Sequence, residues 1–365
     1  MQPAEPTAVS APLGAGGKLL RLGFVGVVLL LVLAGFAYLN GWLTPGKLTP
    51  AMFVNQFQRD GGLHPGFRRN HAKGVCVSGY FDSNGAGQQV SVASVFRPGR
   101  FRLIGRFSLA GPNPDQADKA DSVRGLGLLF YLPGEEQWRT AMINLPVFPM
   151  NTPQAFYDNL VATQPDPKTG KPDPEKLKAF AESHPETVKA IAIIKRSPPT
   201  SGFDNSTFHG LNAFWFIDSA GEKTPVRWLF VPMQAVARVA GKAESSDKNY
   251  LFDALIERMH QGPLRWRLIL IIGQSGDPTN DATIPWPADR QQIDAGTLTL
   301  ETIESDDSSP ARNLNFDPLV LPVGIAPSDD PLLSARSAVY SQSFTRREGE
   351  PKTPSPISPA QVKSP

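Results

Sequence analysis

Arg68-Arg69-Asn70-His71-Ala72-Lys73-Gly74 closes one irregular segment and opens the first β-rich run of the chain. A histidine stands at the entrance of a strand, with basic residues before it and small residues at Ala72 and Gly74. Outward from it, Val75–Phe81, Gln89–Phe96, Phe101–Leu109 and Leu126–Tyr131 are short and β-rich, separated by Gly, Pro and Asn/Asp. A second group follows at Asn212–Ile217, Val226–Val231, Leu264–Ile272 and Thr297–Ile303. Two groups of four strands imply a closed antiparallel barrel with helical material between them. The fold class expected is therefore α+β: an eight-stranded antiparallel β-barrel with inserted and flanking helices.

The helices are expected over Thr49–Arg59, Pro174–Glu182, Pro185–Lys195 and Asn249–Met259. Two of them start with Pro, which suits a first helical turn. Residues 304–340 read as Pro-rich and mostly extended. Residues 348–365 carry no apolar periodicity and are expected to be disordered.

The stretch Leu22–Trp42 contains no charged residue and is long enough to cross a bilayer as a helix. Lys18 and Arg21 precede it, and no positive charge follows before Lys47, so residues 1–21 are expected to be a disordered cytoplasmic segment. The main domain, residues 46–347, then lies across the membrane, on the periplasmic or outer side of a cell inner membrane. A cleaved signal peptide ending near Ala37 is the competing reading of the same segment.

The 365 residues carry 36 Lys/Arg against 34 Asp/Glu, which gives no case for a nucleic-acid partner. The single cysteine, Cys76, excludes an intrachain disulfide and any two-cysteine metal site, and reads as a small buried residue. None of the five histidines pairs with another at i+3 or i+4 spacing, so no local zinc or iron signature is present. There is no nucleophile elbow of the Gly-x-Ser-x-Gly type and no Walker phosphate loop. His71 by itself is as well explained as an ordinary satisfied histidine.

The order of further segments resembles the haem catalases, in particular the shortened catalase-related peroxidases. His71-Ala72-Lys73-Gly74 with Gly79-Tyr80-Phe81 resembles the distal-histidine segment. Arg106-Phe107-Ser108, Arg124-Gly125-Leu126 through Tyr131, Asn144-Leu145-Pro146-Val147-Phe148 and Trp286-Pro287 follow in family order. Phe316-Asp317-Pro318 leads to Arg336-Ser337-Ala338-Val339-Tyr340, which resembles the proximal Arg-x-x-x-Tyr. The resemblance implies haem, of b type, with Tyr340 as axial ligand. Arg336 would stabilise its phenolate, held in turn by Asp330. It implies His71 as the acid–base residue, Ser108 as the group fixing its tautomer and Asn144 as the amide orienting peroxide. Arg68, Arg106 and Arg347 would bind the haem propionates and Phe156 would stack on the porphyrin.

The chain departs from the standard pattern. It is expected to lack the long N-terminal arm and the C-terminal helical domain, Phe67 stands where an acid is usual, and Ala213 falls where many catalases place a His that supports the proximal Arg. A thinner wall around haem implies a peroxidase that reduces hydrogen peroxide or organic hydroperoxides with an organic donor, with weak catalase activity. A fatty-acid hydroperoxide lyase or isomerase, and a non-catalytic haem-binding barrel, are the competing readings. A homodimer is one assembly left open.

Overall fold

The computed structural model describes residues 15–39, 47–238 and 247–361. Two compact units are present, Met1–Thr49 and Pro50–Pro365. In the first, α1 (Ala15–Leu39) is an apolar helix whose stretch Gly16–Tyr38 is long enough to span a membrane or to serve as a signal sequence. It begins earlier than expected: residues 15–21 are helical rather than disordered, because Lys18 and Arg21 extend the same helix. Residues 1–14 and Trp42 lie outside the described residues.

The second unit is built on strands β1 (Gly74–Ser83), β2 (Gly99–Leu109), β3 (Arg124–Tyr131), β4 (Gln137–Ile143), β5 (Phe208–His209), β6 (Phe214–Ile217), β7 (Lys223–Pro232), β8 (Leu264–Ile272), β9 (Gln292–Glu304) and β10 (Ile325–Pro327). Every pairing is antiparallel. The order β7-β5-β4-β3-β2-β1-β9-β8, closed by a β7–β8 pairing, makes an eight-stranded ring, with β6 and β10 as a flap beyond β7. The ring is filled by apolar side chains at alternate positions, among them Val75, Phe107, Leu126, Leu128, Trp138, Met142, Trp228 and Trp266. The barrel is a packed core, so its chemistry lies on the outer face.

Two strand expectations are corrected. Gln89–Phe96 is not a strand. It forms two short 3₁₀ turns, 86–89 and 94–96, that bury Val95 and Phe96 against the barrel. Its apolar run records burial, not sheet pairing. The ring is completed instead by β4, where Trp138, Thr140 and Met142 alternate inward. Asn212–Ile217 yields β6 on the flap, and the two-residue β5 takes its place in the ring.

The helices of the second unit are α2 (Pro50–Gly61), α3 (Pro153–Ala162), α4 (Pro174–Ser183), α5 (Pro185–Lys195), α6 (Tyr250–Gln261) and α7 (Pro331–Glu348). The extended reading of 304–340 fails over its last third. Pro331 is the first helical residue of α7, and Asp330 caps it by accepting from Leu332 N at 2.9 Å. The tail expectation also changes. Glu350 pairs with buried Arg69 and accepts from Gly66 N at 2.9 Å, and Ile357 is buried to 1% exposure. These contacts order residues 349–361 despite the proline content, since proline disrupts a helix interior but not packing. Residues 362–365 lie outside the described residues.

Ile357→Ala is expected to lower unfolding free energy by about 2–5 kcal/mol, the cost of emptying a buried aliphatic site. Chemical denaturation reads this directly; an unchanged midpoint means the tail contributes no packing.

Candidate active site

Pleat alternation puts one row of residues on the outside of the barrel. Arg106 and Ser108 of β2 pair with Gly127 and Gly125 of β3, which pair with Ala141 and Ile143 of β4. Glycine, glycine and alanine make this patch flat. A Cβ on Gly125 would stand 2.9 Å from Ser108 Oγ, and one on Gly127 would stand 2.8 Å from the Phe316 ring. Helices α2, α3 and α7 and the segment 314–316 wall off a cavity of about 570 Å³ over the patch.

His71 and Tyr340 both line this cavity. His71 adopts a positive φ of 57°, a conformation a side chain rarely takes without local restraint. The restraint is Asn70, whose Oδ1 accepts from His71 N at 2.9 Å and from Gly111 N at 2.8 Å. Ser108 Oγ lies 3.0 Å from His71 Nδ1 and fixes the ring. Burial, reinforced by the guanidinium groups of Arg106, Arg336 and Arg68, holds the imidazole down to about 3. The ring is therefore neutral at physiological pH, with its other nitrogen free for proton transfer.

Tyr340 sits on α7 one turn after Arg336, whose Nη2 lies 3.4 Å from the phenol oxygen and donates to Ala141 O at 2.8 Å. Arg336 Nη1 donates to Asn212 Oδ1, and Asn212 Nδ2 donates to Asp330 Oδ2 at 2.7 Å. Asp330 thus supports Arg336, as expected, but through an intermediary. The supporting position is Asn212 and not Ala213, whose side chain is buried one residue on. A helical spacing brings Arg336 to Tyr340, but no local pattern announces a partner 124 residues away.

Three arginines form one edge. Arg106 is buried and bonded to both oxygens of Asp306, and also donates to His71 O at 2.8 Å and Ala72 O at 2.9 Å. Arg68 donates to Ala311 O and Leu314 O, and Arg347 to Leu314 O at 2.8 Å. Burial and the nearby Arg347 and Arg106 charges push Arg68 well below its ordinary value, and burial brings Arg347 to about 10. Arg347 Nε is buried without a partner. Asp306, missed from sequence because it follows a strand end with no motif, is the carboxylate in contact with Arg106. Much of the Arg106 fork is spent on it.

Phe156 lines the cavity but its ring is stacked against Phe53 at 6.0 Å, within a group that includes Phe57 and Phe148. Asn144 is not among the lining residues. Its Oδ1 accepts from Arg124 N at 2.8 Å, and alternation turns Ile143 and not Asn144 toward the cavity. The cavity wall at this point is aliphatic, made by Ile143 and Leu145.

A flat-walled, largely apolar slot holds a phenol at one place, a neutral imidazole at another and surplus guanidinium at an edge. That donor set fits a planar, metal-bearing macrocycle with anionic substituents, such as haem. The catalase family profile matches residues 57–363, and the chain belongs to the catalase family. A catalase-related peroxidase of Synechococcus elongatus is 40% identical over 301 residues, covering 82% of this chain and 89% of that one. Another from Mycolicibacterium paratuberculosis is 31% identical, covering 83% and 96%. Among solved structures, a fungal catalase superposes with TM-score 0.71 at 21% identity, and catalase A from Saccharomyces cerevisiae with 0.70 at 19%. The chain covers 61% and 63% of those two, so it spans about three fifths of a long catalase.

Because the folded His71 binds its proton at about 3 and an unfolded histidine at about 6.5, the unfolded state takes up more protons between those values. Stability present above pH 6.5 is lost as pH falls, at about 1.4 kcal/mol per unit for this one group. His71→Gln is expected to reduce the acid slope of the unfolding free energy by one proton between pH 6 and 4. An unchanged slope contradicts the neutral imidazole.

Proposed function

We propose that the protein is a haem peroxidase of the catalase-related kind, reducing hydrogen peroxide or an organic hydroperoxide with electrons from an organic donor. The observation that carries this reading is His71, neutral and pinned by Ser108, in one cavity with Tyr340 backed by Arg336. Tyr340 would be the axial ligand, with the Arg336 guanidinium 3.4 Å from its phenol oxygen. Arg68 and Arg347 would take the haem carboxylates, with Arg347 Nε gaining the acceptor it lacks. Arg106, committed to Asp306, would contribute charge more than direct bonds.

Bound haem supplies a ferric centre that accepts the two oxidising equivalents of a peroxide. His71 does the proton work. Its free nitrogen takes the proton from one peroxide oxygen and returns it to the other as the O–O bond breaks, giving an alcohol or water as leaving group. Ser108 keeps the opposite nitrogen occupied, so the lone pair stays directed at the substrate.

The same geometry disfavours rapid dismutation. Oxidising a second hydrogen peroxide calls for that small molecule to be held at two points, and Ile143 stands at the wall where an amide was expected. An apolar wall binds water-like substrates poorly and leaves organic donors to compete. The apolar helix α1 is read as an uncleaved anchor, with Lys18 and Arg21 on the cytoplasmic side and the catalytic unit beyond the membrane.

The purified full-length protein is expected to oxidise a phenolic donor faster than it releases dioxygen from hydrogen peroxide. His71→Leu should lower peroxide-dependent turnover roughly 10²–10⁴-fold with the Soret band retained. Dioxygen release far exceeding donor oxidation overturns the peroxidase assignment.

A further inference from the structure

A second cavity, about 170 Å³, opens on the same outer face of the barrel next to the first. Leu211 lines both. It is held at a positive φ of 59°, in the tight turn where Asn212 N donates to Gly210 O at 2.7 Å. One leucine side chain therefore stands between the two spaces.

The second cavity is lined by one side chain that no hydrogen bond among the described residues engages, His209, and one that is only partly engaged, Arg227. His209 of β5 pairs with Leu229 of β7, and Arg227 lies two residues along β7, so all three share the outward face. Phe208 and Trp228 point the other way, into the core. Among the described residues, no hydrogen bond or ion pair engages the His209 ring. Burial holds its imidazole down to about 4, so above that pH it is a neutral proton acceptor. Arg227 donates its Nη atoms to Ile284 O, Pro278 O and Asp281 O, stacks 4.6 Å above the Trp286 ring, and leaves a buried Nε–H without an acceptor. The charges of Asp330, Asp281 and Asp277 offset that guanidinium, so the site is not a net anion trap. Trp286, Leu211, Leu229 and Pro146 supply flat and apolar walls.

We propose that this cavity is the docking site of the electron donor, and that the donor it takes is a small uncharged phenol. The inference rests on the peroxidase reading. A hydroxyl group suits both kinds of idle group, since it donates to a neutral imidazole and accepts from an N–H. A carboxylate would lose water while facing the aspartates around Arg227. The volume suits a single ring. Each phenol gives up one electron across the Leu211 wall and its hydroxyl proton to His209. Two phenols and one hydroperoxide thus become two phenoxyl radicals, one alcohol and one water.

The test uses the purified full-length holoprotein in the resting state, without peroxide. Calorimetric titration with guaiacol is expected to show binding, and titration with benzoate none. His209→Phe fills the cavity and should abolish guaiacol binding. In steady state it should raise the KM for guaiacol at least tenfold, leaving the Soret band and the KM for peroxide unchanged. Leu229→Trp fills the same space from the neighbouring strand and should reproduce the effect if His209→Phe disturbs folding. Unchanged guaiacol binding and KM in a folded variant, or tighter binding of benzoate than of guaiacol, overturns the proposal. An absent Soret band or absent peroxide-dependent oxidation in the unmodified protein overturns the peroxidase reading instead, and calorimetry still reads the cavity.

Discussion

Five arginines line one cavity, Arg68, Arg69, Arg106, Arg336 and Arg347, and two of them touch a carboxylate, Arg106 on buried Asp306 and Arg69 on Glu350. Burying a guanidinium away from water costs several kcal/mol unless it is paired. Arg68 and Arg347 recover part of that cost from backbone carbonyls of Ala311 and Leu314, which satisfy hydrogen bonds but not charge. Arg336 reaches Asp330 only through the neutral Asn212. The chain by itself leaves a positive surplus in a dry place. That surplus asks for an anionic occupant, and together with burial, the larger cause, it keeps His71 neutral. Charge, more than shape, links the distal and proximal sides.

The barrel makes such an arrangement affordable. Its interior is closed and apolar, so the ring keeps its register without help from the site. The outer face of β2, β3 and β4 is then free to be unusually flat, with Gly125, Gly127 and Ala141 in one row. A side chain at either glycine would collide with His71, Ser108 or Phe316. The tail and α7 complete the enclosure from the far end of the sequence, with Glu350 on Arg69 tying the two ends of the domain together.

Most of the site was legible through the order of segments that resembles the catalases, not through any one residue. Taken alone, His71 reads as an ordinary histidine and Tyr340 as a tyrosine near the chain end, and the resemblance is what joined them. His71, Ser108, Arg68, Arg336, Arg347 and Tyr340 all converge on one cavity. What misled was position by one residue in strands and turns. Asn144 and Ile143 exchange faces on a pleat of period two, and Asn212 rather than Ala213 meets Arg336. Composition misled at Gln89–Phe96, where burial without pairing imitates a strand, and in the proline-rich tail, where packing needs no regular structure. Asp306 has no local signal, since its partner Arg106 is 200 residues away.

Resonance Raman spectroscopy of the haem-loaded protein addresses the central claim most directly, because it identifies the axial group by its own vibrations. Ligation by Tyr340 predicts phenolate modes enhanced with the ferric haem and absent in Tyr340→Phe. An iron–imidazole mode in the reduced protein, or phenolate modes that survive in Tyr340→Phe, would place a different residue beneath the iron and contradict the account.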